Sequence, residues 1–104
     1  MVDLLSPVGT GPLWGLASAD LNATLLVWEA GHEIARHVNA ERDVLLVVLE
    51  GTAEVVIGDE EHHLAGGSAL LVERGASRVF RAGAGGVRVL SVHRARGPLQ
   101  IQPA

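Results

Sequence analysis

The chain has 104 residues, a formal net charge of −4 and 48% hydrophobic side chains, with only 3% aromatic residues and no cysteine. This length allows one domain, and the lack of cysteine excludes disulfides, thiolate metal sites and cysteine nucleophiles. The few aromatic rings and the negative charge argue against nucleic-acid binding, which relies on stacking platforms and a basic surface.

Short apolar runs separated by glycine-rich segments predict an all-β sandwich or barrel, and no stretch has the long 3.6-residue period of a helical bundle. The chain is predicted to be a single domain (1–104) with a core at about 21–93, an N-terminal arm (1–20) and a C-terminal strand or tail (94–104). The predicted strands lie near 21–29, 44–50, 53–58, 69–73, 78–82 and 87–93, with shorter extended segments near 34–38, 61–64 and 98–102.

Two glycine-containing segments are predicted to form turns between these strands. Gly58-Asp59 can supply the positive φ of a tight hairpin, and Gly83–Gly86 is predicted to link the strand of Phe80 to the next one as a second hairpin. Trp14 and Trp28 are interpreted as packing residues, with the N-terminal arm able to fold over a partner subunit.

Two predicted strands, 44–49 and 87–93, are apolar on both faces, whereas a sheet with one wet face should alternate. Either the chain's own termini cover these strands, or two copies pack sheet against sheet as a homodimer. No apolar run reaches the roughly 18 residues of a membrane span, and the N-terminus lacks the basic start of a secretory signal. A cytoplasmic protein without membrane contact is therefore expected.

Two motifs resemble those of the cupin family. The segment Gly31–Gly51 follows the spacing of the first cupin motif, G-x5-H-x-H-x4-E-x6-G, and 67–82 follows the glycine frame of the second, G-x5-P-x-G-x2-H-x3-N. The resemblance covers about 21–93 and implies a double-stranded β-helix, the jelly-roll cupin barrel. This fold agrees with the strand pattern.

Metal-bearing cupins place three histidines and one glutamate of these motifs around a metal ion. Here His37 is kept, whereas the other three positions hold Asn39, Val44 and Arg78, and Glu73 and Ala82 replace the proline and asparagine of the second motif. Valine has no donor atom, and arginine cannot be deprotonated to coordinate a cation. We therefore expect no metal ion in the usual place and no cofactor.

The resemblance instead implies a different pocket. Five ligand-binding residues are predicted: His37, Asn39, Arg78 and Phe80 from the resemblance, and His93 because strand alternation places it on the same face as Ser91. Leu46 and Val48 complete the apolar wall with Phe80. A guanidinium beside an amide and an imidazole suits a small anionic or polar ligand, because its fork donates two parallel hydrogen bonds. The alternative is that Arg78 pairs internally with Asp43 or Glu41, since buried charges are usually paired.

Three functions remain open, and the sequence leaves enzymatic activity uncertain. The first is a metal-free cupin that binds a small molecule; the second is an isomerase, cyclase or dioxygenase; the third is a structural or interaction domain with a filled barrel. The enzyme would use His37 with His93 and Glu73 or Glu41 as a displaced metal set, or His37 as a general base.

The other histidines are interpreted as surface residues. His62 and His63 follow three acidic residues in a hairpin, where strand alternation sends their rings to opposite sides and makes the pair a poor chelate; His32 is assigned to a loop. All acidic residues lie at or before Glu73, and six of the eight arginines follow Glu73. Because the resemblance makes the strands of the two motifs neighbours, we expect these charges to pair across strands.

Overall fold

The computed structural model describes residues 1–95 and confirms the all-β prediction. The strands are β1 (Gly11–Ala17), β2 (Leu21–Trp28), β3 (Glu33–Val38), β4 (Val44–Ile57), β5 (Glu60–Ala65), β6 (Ala69–Val72) and β7 (Ser77–Arg94). Every strand pair is antiparallel. Within this part of the chain, no helix is long and apolar enough to cross a membrane. The extended segment predicted at 98–102 lies outside the described residues.

The two long strands, β4 and β7, pair along most of their length and organise the fold. The first half of β7 also pairs with β3, and its second half pairs with β2, which in turn holds β1 at the edge. The first half of β4 pairs with β6 and its second half with β5. This branching agrees with the predicted double-stranded jelly-roll architecture.

The core is almost entirely aliphatic, as expected when 48% of the residues are hydrophobic and only 3% are aromatic. Its buried residues come from both halves of β4 and β7 and from their neighbours: Ala23, Leu25, Val44, Leu46, Val48, Ala53, Val55, Leu64, Val72, Phe80, Ala82, Val87 and Val89. Among the described residues, no polar or charged residue is buried. The core is therefore held by side-chain packing rather than by an internal polar network.

The predicted hairpin at Gly58-Asp59 is confirmed, because β4 and β5 pair up to Ile57 and Glu60, with Gly58 at a φ of 59°. The predicted hairpin at Gly83–Gly86 is wrong. Those residues form a bulge inside the continuous strand β7, between its pairs Ala53–Ala82 and Gly51–Val87. Extra residues on one strand bend it without ending it, so the two segments predicted there belong to one strand. The same holds for 44–50 and 53–58, which form β4.

The region predicted as an N-terminal arm contains an additional strand, β1, that pairs with β2. Before it, the chain is tied to the sheet by Arg88, whose guanidinium donates hydrogen bonds to the carbonyl oxygens of Leu4 and Pro7, both at 3.0 Å. The Nε atom of Arg88 lies 3.2 Å from Glu50. The first residues of the chain therefore lie against the outer side of β7 at Arg88, while Leu45 of β4 and Leu71 of β6 stay exposed, so the N-terminus covers only part of this face.

Replacing Arg88 with methionine should detach this N-terminal segment. The Arg88 side chain is only 13% exposed and holds two backbone carbonyls, so its removal should lower the free energy of unfolding by about 2 to 4 kcal/mol. Urea unfolding gives this value, and hydrogen exchange should rise selectively at residues 1–10. Unchanged exchange in that segment would contradict the assignment.

Candidate functional site

A cavity of about 60 Å³ opens between β2, β3, β4 and β7. It is lined by Leu26, Trp28, Ile34, Ala35, His37, Leu46, Arg78, Phe80, Val89 and Ser91. Since each water occupies about 30 Å³ in the liquid, this volume holds about two waters, which limits an occupant to a small molecule or to one end of a larger one. Larger hollows, such as one of about 240 Å³ beside Gly51 and Gly86, are more open to solvent.

Strand pairing brings His37 and Arg78 together at this cavity. The two residues are direct partners in the β3–β7 ladder, so their side chains share a face. Phe80 follows Arg78 on the same face of β7 and pairs with Ile34. A register shift in β3 lies between Ile34 and His37, which allows both side chains to face the cavity although three positions separate them.

The guanidinium of Arg78 has no ionic partner in residues 1–95, where its side chain makes neither an ion pair nor a hydrogen bond. The two carboxylates considered as internal partners are engaged elsewhere: Glu41 lies 3.4 Å from Arg42, and Asp43 accepts a 2.8 Å hydrogen bond from the backbone of Arg74. Residues 96–104 contain no aspartate or glutamate.

Partial burial has an electrostatic consequence for Arg78. Desolvation lowers the pKa of its guanidinium, but arginine stays protonated in proteins, so the group is cationic at neutral pH. A cation that is partly removed from water and lacks a counter-ion raises the energy of the empty site. The same cation attracts any small anion that fits the cavity.

Trp28 also lines this cavity. Its indole Nε1 is buried and has no hydrogen-bond partner in the described part of the chain. The ring also stacks on His32, with centroids 4.2 Å apart and planes 9° from parallel. The interpretation of Trp28 as a packing residue, made from sequence, did not include this position at the cavity. A signal for it existed, because alternation places Trp28 on the same face of β2 as Leu26, which also lines the cavity.

Of the five predicted ligand-binding residues, three line this cavity: His37, Arg78 and Phe80. Asn39 does not, because its Oδ1 accepts hydrogen bonds from the backbone amides of Glu41 (3.2 Å) and Arg42 (3.1 Å). His93 shares a face with Ser91 but is also absent from the lining, and its Nδ1 lies 2.8 Å from the carbonyl oxygen of Arg94. Of the predicted apolar wall, Leu46 lines the cavity, and Val48 is fully buried in the core.

The predicted cross-strand charge pairing is present along β7. Glu33 of β3 pairs with Arg81 of β7 at 2.6 Å, and Glu50 of β4 pairs with Arg88 of β7 at 3.2 Å. In both pairs the acid comes from the first part of the chain and the arginine from the last, so the two parts interleave. Arg78 differs from these arginines in facing the cavity without a carboxylate.

Several solved structures share this fold. TT1209 from Thermus thermophilus is 26% identical, with a TM-score of 0.79 over 92% of this chain and 97% of that one. An uncharacterized conserved protein with a double-stranded β-helix domain from Klebsiella pneumoniae is 21% identical, with a TM-score of 0.79 over 90% and 83%. KdgF from Halomonas sp. is 20% identical, with a TM-score of 0.74 over 80% and 76%.

A search of curated proteins found no significant match. The family model described as a cupin domain, however, matches residues 24–93, which include both motifs and every residue that lines the cavity. The chain therefore belongs to the cupin family.

Proposed function

We propose that this cupin binds a small anion without a metal ion, with Arg78 as the anchor of the binding site. The observation that carries the proposal is the half-buried guanidinium of Arg78, which has no ionic partner in residues 1–95. A carboxylate or similar oxyanion would accept two parallel hydrogen bonds from the guanidinium fork and neutralise its charge. The gain is larger inside a cavity than at an exposed arginine, because water competes less for the ligand.

The remaining lining indicates what kind of anion would fit. His37 adds a ring nitrogen, and Leu46, Phe80 and the ring of Trp28 form apolar wall. The volume of about 60 Å³ suits a carboxylate with a short apolar part. A filled barrel, as expected for a purely structural domain, would contain no cavity larger than a water molecule, so the cavity favours binding over that alternative.

The residues at this site do not fit the metal ion of metal-bearing cupins. His37 is the one typical metal ligand at the four corresponding positions; Arg78 adds positive charge, Val44 is buried without a donor atom, and Asn39 hydrogen-bonds backbone amides. The cavity of His37 is not lined by His93, Glu41 or Glu73, so nothing in residues 1–95 favours the displaced metal set. General-base catalysis by His37 stays a prediction.

Titration with acetate and with acetamide tests the proposed function, because the two molecules share a shape and differ in charge. Acetate should bind saturably and shift the amide and indole NMR signals of the cavity, including that of Trp28, whereas acetamide should leave them nearly unchanged. Formate serves as a smaller anionic probe and bicarbonate as one of similar size. Equal responses to acetate and acetamide would contradict anion binding. A transition metal that the purified protein retains, but that is lost in His37→Ala, would contradict the metal-free proposal.

We also propose that the cupin forms a homodimer through the outer face of β4, β6 and β7. Leu45 of β4 pairs across the strands with Leu71 of β6 and with Val92 of β7, and the two leucines are 38% and 51% exposed. An apolar cluster on a sheet face is typical of a contact between subunits. A cytoplasmic location stays a prediction.

Replacing Leu71 with aspartate should convert the dimer to a monomer. The buried charge would have no partner in a sheet-to-sheet contact, which should weaken association by about tenfold or more. Light scattering during gel filtration measures the mass. Val38→Asp, at a residue of similar exposure on β3, is the control and should stay dimeric. A monomeric unmodified protein, or equal loss of dimer in both variants, would contradict this interface.

A further inference from the structure

A second group of ligand-type side chains lies on the outer face of the β4–β5 hairpin, apart from the cavity. Glu54 of β4 pairs directly with His63 of β5, and Glu61 precedes His63 by two residues on the same face. The Nδ1 atom of His63 lies 3.6 Å from Glu54 Oε2, and its Nε2 atom lies 3.7 Å from Glu61 Oε2. One ligand atom from each of the three residues lies within 4.8 Å of the other two.

These three side chains are near the spacing that a metal ion requires. Ligand bonds of about 2.1 Å at tetrahedral angles place neighbouring ligand atoms about 3.4 Å apart. An imidazole binds a metal through one nitrogen, so one carboxylate must turn towards that nitrogen. Exposures of 65% for Glu61 and 71% for His63 leave room for this adjustment, while the paired strands hold the three backbone positions in place.

The local charge also favours a cation. Two carboxylates flank one imidazole, and Asp59 and Glu60 add negative charge at the adjoining turn. Arg81 pairs with Glu54 in the β4–β7 ladder, but its guanidinium is held by Glu33 at 2.6 Å, which offsets its positive charge. A divalent cation would reduce the repulsion between the carboxylates of Glu54 and Glu61.

We propose that Glu54, Glu61 and His63 form a surface site for a divalent first-row transition metal ion, with water completing its coordination. One imidazole nitrogen with two carboxylate oxygens suits such ions, whereas an all-oxygen set would suit Mg²⁺ or Ca²⁺. The ion would bridge β4 and β5 and so stabilise the hairpin through binding to the folded state. The expectation from sequence that the adjacent pair His62 and His63 forms a poor chelate is unaffected, because the proposed partners of His63 are Glu54 across the strands and Glu61 on the same strand.

Calorimetric titration of the full, untagged, chelator-treated protein with Zn²⁺ tests this site. The unmodified protein should bind one ion that Mg²⁺ does not displace. His63→Ala should weaken Zn²⁺ binding by more than the roughly 10- to 100-fold typical of changes in the outer coordination shell, and Glu61→Gln should also weaken it. His62→Ala is the matched control, because His62 is the adjacent residue on the opposite face, and it should bind Zn²⁺ like the unmodified protein.

Three outcomes would overturn the proposal. They are no saturable Zn²⁺ binding by the unmodified protein, equal weakening in His62→Ala and His63→Ala, and loss of binding in His37→Ala, which would move the ion to the cavity. Thermal unfolding separates ligand loss from misfolding: each metal-free variant should melt close to the unmodified protein, and added Zn²⁺ should raise the melting temperature only where His63 is present.

Discussion

Replacing Arg78 with methionine is expected to remove acetate binding while the protein stays folded. The guanidinium supplies the only arginine charge in the cavity lining, and a charge-assisted hydrogen bond contributes about 1.5 to 3 kcal/mol, so affinity should fall by roughly 10- to 100-fold. Methionine fills similar space without a charge. Stability in urea should be unchanged or higher, because a half-buried cation without an ionic partner among the described residues no longer has to be desolvated.

Two further variants separate the role of Arg78 from a general effect of charge. Arg81→Met removes one positive charge from an exposed residue of the same strand that is already paired with Glu33, and it should leave acetate affinity unchanged. Arg78→Lys keeps the charge but loses the fork geometry, so its affinity should be intermediate. Equal losses in Arg78→Met and Arg81→Met would show that acetate responds to net charge and would contradict a built site.

Replacing Gly51 with alanine is expected to cause the largest loss of stability. Gly51 has a φ of 79°, where an L side chain is strained, and an added Cβ would collide with the carbonyl oxygen of Gly86. Both residues lie where β4 passes the bulge of β7, so neither backbone can move without breaking the central ladder. We expect a loss of about 4 kcal/mol or more, which urea unfolding would measure, or failure to fold.

Gly75→Ala is the matched control for this substitution. Gly75 has a nearly identical φ of 82°, but an added Cβ there meets nothing within 4 Å. Its substitution should therefore show the cost of backbone strain alone, about 1 to 2 kcal/mol. Similar losses in Gly51→Ala and Gly75→Ala would mean that the close approach of the two strands contributes little.

Much of the fold was predictable because it depends on local patterns. Short apolar runs between glycine-rich segments located most of the strands, and the spacing of Gly31, Gly51, Gly67 and Gly75 identified the two motifs. All four glycines have positive φ, which explains why the motif keeps them. The bulge at Gly83–Gly86 was mistaken for a hairpin because a glycine-rich bulge and a turn have the same composition. Only the pairing of β7 with β4 on both sides of it distinguishes them.

The site was predictable only in part, for a related reason. His37, Arg78 and Phe80 could be brought together because the motif spacing implies their strands are neighbours. Asn39 occupies a motif position as well, but its short side chain hydrogen-bonds the adjacent backbone and forms a turn. The cluster around His63 follows from the register of the hairpin at Gly58-Asp59, but considering His62 and His63 only as an adjacent pair misses the cross-strand partner Glu54.

The sequence by itself determined the all-β class, the cupin resemblance, the aliphatic core and the replacement of three family metal ligands, since each follows from residue type and spacing along the chain. The tertiary structure decided which charges lack partners. Arg81 and Arg88 meet Glu33 and Glu50 across strands, whereas Arg78 faces a cavity without a carboxylate. Pairing depends on distances between residues far apart in the chain, and these distances exist only once β3, β4 and β7 lie side by side.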